Sequence, residues 1–98
     1  MAVAFTRTFT RANADIDWPQ NIREIDDHIA LAHPSCAAWR VTSFSNDGLT
    51  LSYTSTWASA ADLDTALEDD VILSNIDKIN VYCEDNNITT SHSIDASV

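Results

Sequence analysis

The apolar residues of this chain switch between a period of two and a helical period, and the order of those switches dictates the fold class. Residues 3–11, Val-Ala-Phe-Thr-Arg-Thr-Phe-Thr-Arg, alternate strictly. Val3, Phe5, Arg7 and Phe9 share one face; Thr6, Thr8 and Thr10 share the other. β-Branched and aromatic residues in such alternation suit a half-buried strand. Trp18, Ile22, Ile25, Ile29 and Ala32 then recur at spacings of four and three, and the polar residues between them form a solvated face, which predicts a helix. Pro19 suits its first turn, where a missing N–H costs nothing, and Asp15 or Asp17 can serve the N-terminus. Pro34 stops the helix near His33.

Residues 36–45 and 49–57 predict a hairpin around Asn46-Asp47-Gly48, with the chain's only glycine where a left-handed backbone is needed. The second arm places Leu49, Leu51, Tyr53, Ser55 and Trp57 on one face. Ser59-Ala-Ala-Asp62 then opens a second helix as a near capping box. Its stripe, Leu63, Ala66 and Leu67, resumes out of phase as Ile72, Ile76, Ile79 and Cys83. A break around Asp69–Ser74 is expected, with Ser74 as the second cap. Asp85-Asn86-Asn87 ends the helix, and residues 88–96 alternate again.

The order β-α-β-β-α-β predicts one α+β domain over residues 1–98, a ferredoxin-like sandwich. Its four-stranded, antiparallel-type sheet has order 4-1-3-2, with two helices on one face, the second broken. The first and third strands are expected at the centre as parallel neighbours. Ninety-eight residues suffice for one core and not two.

Fifteen acidic residues oppose five basic ones, giving −10, and twelve of the fifteen are Asp. That field repels phosphate backbones and anionic membranes, so neither nucleic acid nor membrane is an expected partner. The carboxylates are spread over both helices and several loops. This favours plain solubility over mimicry of nucleic-acid charge, and a basic protein partner stands as the alternative. The N-terminus lacks the basic and apolar segments of a signal peptide, so a cytoplasmic setting is expected, with Cys36 and Cys83 as free thiols.

The sheet's far face would carry Thr6, Thr8, Thr10, Thr50, Ser52, Thr54, Thr56, Thr89, Ser91 and Ser93 with almost no charge. In a chain this acidic, such a face suggests a subunit contact and a homo-oligomer, against the alternative of plain solvent exposure.

The stretch Tyr53-Thr-Ser-Thr-Trp57-Ala-Ser59-Ala-Ala-Asp62-Leu63 resembles the end of strand three and start of helix two in dimeric α/β-barrel proteins, among them the antibiotic-biosynthesis-monooxygenase-like proteins. There a Trp closes the strand and Ser-x-x-Glu/Asp opens the helix. The resemblance implies two ferredoxin-like units paired through their sheets and, in enzymes, a small organic ligand between sheet and helices. The family's Asn-Trp-His set has no counterpart at matching places, so catalysis is not carried over.

Individual residues add little chemistry. His28 and His33, five apart, fall on different faces of a helix, and adding Cys36 matches no common zinc spacing, so no metal site is expected. Glu68-Asp69-Asp70 reads as a solvated corner without the spaced oxygens of a calcium loop. Cys83 sits on the apolar stripe as a core residue. Cys36 beside His33 lacks the third group of a nucleophilic site. Arg7, Tyr53 and His92 interrupt apolar strand faces in strands the topology makes neighbours, and together form the candidate ligand-binding set. No cofactor is expected.

These observations favour a non-catalytic, acidic, oligomeric accessory or interaction protein of host or viral origin. One alternative is a small-molecule-binding or monooxygenase-like protein. The other is an acidic inhibitor of a basic or nucleic-acid-handling protein.

Overall fold

The computed structural model describes residues 2–34 and 36–96, with side chains for all of these except 36–39. Its elements are β1 (Val3–Thr10), α1 (Asn21–Ala32), β2 (Cys36–Phe44), β3 (Thr50–Trp57), α2 (Ala60–Leu67), α3 (Asp70–Asp85) and β4 (Thr89–Asp95). The sheet order is β2-β3-β1-β4, which is the predicted order. Every pairing is antiparallel, β1 with β3 included. The expectation of parallel central strands is therefore corrected. The crossover through α1 makes β1 and β2 parallel to each other, and the hairpin then folds β3 back between them.

Local chemistry explains the element ends. Gly48 has φ +73° and closes the hairpin turn, its N–H donating to the Ser45 carbonyl at 3.0 Å. Asp47 Oδ1 accepts from the Ser45 hydroxyl at 2.5 Å and the Leu49 N–H at 2.9 Å, which bends the turn. Ser59 caps α2 by accepting the Asp62 N–H at 3.2 Å. The predicted break falls at Glu68–Asp69, but its cap is Asp69, not Ser74. Asp69 leaves the helical region (ψ 122°) and its Oδ1 accepts the Val71 N–H at 2.8 Å. A carboxylate one residue before the first turn satisfies two orphan donors that Ser74, already inside the helix, cannot reach. At the start of α1 neither Asp15 nor Asp17 caps; Gln20 occupies the cap position with no side-chain bond.

Helix α3 ends in a Schellman turn. Asn87 takes φ 56°, and the Ile88 N–H donates to the Cys83 carbonyl at 2.8 Å. Ile88 and Cys83 are both buried in the same apolar cluster, the hydrophobic contact this motif favours. Arg11 holds the β1–α1 connection to the hairpin turn. It donates to the Gly48 carbonyl at 2.7 and 3.0 Å and to the Ile16 carbonyl at 2.6 Å, and lies 4.4 Å over the Trp18 ring.

The core lies between the sheet and the helices and is split in two. Val3, Ile29, Trp57, Leu63, Ala66 and Ile72 form one cluster; Phe9, Leu51, Tyr53, Ile79, Cys83 and Ile88 form the other. The outer sheet face pairs hydroxyl with hydroxyl across the strands. Thr6 meets Thr54 at 3.0 Å and Thr8 meets Ser52 at 3.5 Å, while Ser93 and Ser91 lie opposite the same two threonines on the β4 side. No helix among the described residues is long and apolar enough to cross a membrane. The Cys36 thiol lies outside the described side chains.

Candidate functional site

Strand register explains why the core is split. On the helix-facing side of β1 and β3 the opposed pairs are Val3–Trp57, Phe5–Ser55, Arg7–Tyr53 and Phe9–Leu51. The outer rows pair large apolar residues and pack solidly. The inner rows pair a small serine with a phenylalanine and a guanidinium with a phenol, so the space above them is incompletely filled. The result is a cavity of about 70 Å³ lined by Phe5, Arg7, Phe9, Tyr53, Ser55 and Trp57 from the sheet and by α1, α2 and α3 above, with Ile25 and Ile76 among the lining.

Arg7 is the one charged group among the described residues of that wall. Its guanidinium donates to the Asn80 side-chain carbonyl and lies 5.0 Å from the centre of the Phe9 ring. Burial is the main influence on Arg7 and pulls its pKa down; the nearby Cys83 opposes this weakly. Burial likewise pushes the Cys83 thiol up, which suits a neutral core cysteine. Tyr53 is buried, and its hydroxyl donates to Asp26 Oδ1 at 2.8 Å. Arg40 pairs with the same oxygen at 2.7 Å.

The candidate set of Arg7, Tyr53 and His92 falls in one row, Arg7 being directly opposed by both partners. Cross-strand neighbours are spaced by about 5 Å, so one small molecule could span the row. Arg7 and Tyr53 line the cavity. His92 is on the exposed edge strand, stacked on Phe5 at 6.0 Å between ring centres, and does not line it.

On the other side of Tyr53 lies an open groove of about 470 Å³, walled by Trp18, Gln20, Arg23, Asp26, Thr42 and Phe44. Tyr53 and Ile22 border both spaces. The Tyr53–Asp26–Arg40 chain thus stands at the partition between groove and cavity. The groove falls within the roughly 300–1,000 Å³ usual for small-molecule sites, whereas the cavity alone does not.

A second cluster escaped the sequence reading. His28 Nε2 and His33 Nε2 lie 2.8 and 2.7 Å from the same oxygen, Asp69 Oδ2. The five-residue spacing would separate the two rings on a continuous helix. The helix ends at Ala32, however, and His33 takes non-helical angles (φ −129°, ψ 65°) that swing its ring round to the side of His28. Asp69 comes from the elbow between α2 and α3, and no local pattern links it to α1. It is only partly exposed and not the solvated corner expected. Hydrogen bonds from His28 and His33, followed by the helix-cap N–H groups, hold the Asp69 carboxyl well below the usual carboxylate range.

No protein-family model matches the chain. No curated protein matches it by sequence. Solved structures match over nearly the whole length. SnoaB, a cofactor-independent oxygenase from Streptomyces nogalater, superposes with a TM-score of 0.67 at 13% identity, covering 99% of this chain and 93% of that one. Rv0793 from Mycobacterium tuberculosis gives 0.73 at 18%, covering 100% and 96%. A structure described as an antibiotic biosynthesis monooxygenase gives 0.71 at 19%, covering 100% and 99%. The likeness is one of fold. It bears out the resemblance drawn from Tyr53–Leu63 and corrects the expectation of a non-catalytic accessory or viral protein. The neighbours that overturn it are themselves described as a cofactor-independent oxygenase and an antibiotic biosynthesis monooxygenase. Composition could not distinguish these readings, because the cavity arises from which residues meet across β1 and β3, not from how many of each the chain contains.

Proposed function

We propose that this protein is a small-molecule oxygenase of the cofactor-independent type, acting on an electron-rich aromatic substrate that carries an enolisable or phenolic oxygen. The observation that carries this reading is the half-buried Arg7 guanidinium on an otherwise apolar wall, beside Tyr53 and facing the helices. A cation in a low-dielectric cavity attracts a developing enolate or phenolate strongly, and apolar walls suit the ring that bears it. The fold shared with SnoaB supports the reaction class.

The cavity is smaller than the roughly 150 Å³ of apolar space that accepts a single benzene ring. A fused-ring substrate therefore occupies the groove, and Tyr53 shifts so that the oxygen-bearing end reaches Arg7. In such a reaction the substrate supplies the electrons. Dioxygen gives one atom to the ring carbon and the other leaves as water.

Anthrone is a suitable probe, since anthrone plus O₂ yields anthraquinone plus water. The test follows oxygen uptake with anthrone and ¹⁸O₂, with mass analysis of the product. Enzyme-dependent formation of anthraquinone carrying one ¹⁸O atom is expected. A rate equal to the protein-free background, together with no quenching of tryptophan fluorescence by the ligand, would overturn the proposal.

We also propose a homodimer formed through the hydroxyl-bearing sheet face. The outer rows of β1, β3 and β4, whose one charge is Asp95 at the end of β4, support it: on a chain carrying −10, they are where two copies can approach with little repulsion. A cytoplasmic setting and the absence of nucleic-acid binding belong to the same proposal.

A further inference from the structure

In a layer otherwise joined by apolar contacts and by the Asn21–Asn75 hydrogen bond at 2.9 Å, His28 and His33 from the end of α1 meet Asp69 from the elbow before α3. Their ligating atoms all lie within 4.8 Å of one another. We propose that they form a binding site for a first-row divalent cation of the zinc type, which bolts the C-terminal end of α1 to the α2–α3 elbow. This site is separate from the cavity and does not depend on the oxygenase reading.

The donor set points to that class of ion. Two imidazole nitrogens and one carboxylate oxygen suit zinc, copper, nickel and iron, whereas magnesium and calcium take oxygen donors. Zinc bonds of about 2.0–2.1 Å in tetrahedral geometry place ligand atoms about 3.3 Å apart. Both histidine nitrogens stand 2.7–2.8 Å from Asp69 Oδ2, so a small outward rotation of the rings opens the required space. Three protein ligands leave a fourth position for water.

The ligands are also held from behind, as metal ligands usually are. Asp69 Oδ1 is committed to the N–H groups of Val71 and Ile72, which aims Oδ2 at the histidines. The His33 ring packs edge-on against Trp57, with centres 6.0 Å apart, which fixes its plane. The three side chains are 13–22% exposed, open enough for an ion to enter and sheltered enough to compete with water. Glu68 and Asp70 flank the site, and the net charge of −10 raises the local concentration of cations. Trp57 also lines the cavity, so an ion at this site would stiffen one wall of it.

The competing account is that Asp69 simply accepts two imidazole N–H bonds. Calorimetric titration of the chelator-stripped full chain with ZnCl₂, in excess Mg²⁺, separates the two. One Zn²⁺ per chain is expected, with a melting temperature that rises with Zn²⁺ concentration. Asp69→Asn, which keeps an oxygen able to cap α3, and His28→Gln should each weaken binding by about tenfold or more. In NMR spectra the ring signals of His28 and His33 should move on zinc addition while those of His92 stay in place. No binding, binding abolished by Mg²⁺, or binding unchanged in both variants overturns the proposal. So does movement of all three histidines alike, which would indicate diffuse association with an acidic surface.

Discussion

Replacing Arg7 with methionine tests whether the cavity wall was built for stability or for a ligand. Methionine keeps an unbranched, flexible stem and so preserves most of the packing. The substitution removes the hydrogen bond to Asn80 and the contact with the Phe9 ring. A hydrogen bond from a charged donor contributes about 1.5–3 kcal/mol, but Asn80 is exposed and water can replace its lost partner, so little of that is forfeited. The ring contact contributes about 0.5–1 kcal/mol. Removing a guanidinium whose pKa is pulled down by burial relieves a desolvation cost, which acts in the opposite direction. The net loss should not exceed about 1 kcal/mol, or a melting shift of about 4–8 °C for a domain of this size. Oxygen uptake with anthrone should meanwhile fall by at least about tenfold. The measurements are urea and thermal denaturation alongside the uptake assay. A stability loss of about 3 kcal/mol or more, the scale of a broken buried ion pair, would show that Arg7 is structural and refute the reasoning.

Filling the space beside Phe5 with Ser55→Leu, which also removes the acceptor of the Trp57 indole N–H, should lower oxygen uptake with anthrone while ligand quenching from the groove persists and the far-UV circular dichroism stays native; unchanged uptake would place the reacting end outside the cavity. Gly48→Ala should cost about 1–2 kcal/mol, because the left-handed turn and not crowding demands glycine there, the nearest atom to an added Cβ being 3.8 Å away; an unchanged denaturation midpoint would contradict this. Asp47 accepts hydrogen bonds from Ser45 and Leu49 that hold its pKa below the ordinary value near 3.9, so its contribution is present above that pH and is lost as pH falls through the lower folded value. The melting difference between wild type and Asp47→Ala should accordingly be larger at pH 6 than at pH 2, and a difference that grows on acidification would overturn the assignment. Light scattering from 50 to 500 mM salt should show a dimer, and Thr8→Lys, placed at the centre of the hydroxyl face, should shift it towards monomer; a wild type that is monomeric throughout removes the sheet-face contact.

The sequence alone settled what depends on neighbouring residues. Period-two alternation in β1 and β3, the helical stripe ending at Pro34, the single glycine of the hairpin and the phase slip after Leu67 each report a local geometric constraint. Element order and sheet order follow from them. Even the row of Arg7, Tyr53 and His92 was legible, because alternation fixes the face and topology fixes the neighbours. Other features depend on groups that chain spacing does not relate. Ser55 makes space only because Phe5 stands opposite it, and His92 falls outside the cavity because β4 is an exposed edge. The antiparallel centre of the sheet depends on how the hairpin inserts between β1 and β2. Most telling are His28, His33 and Asp69: a helix that ends one residue before His33 and an elbow some forty positions later direct three side chains to one point. No periodicity encodes such a meeting, since it is produced by the packing of α1 against α3 and not by either segment alone.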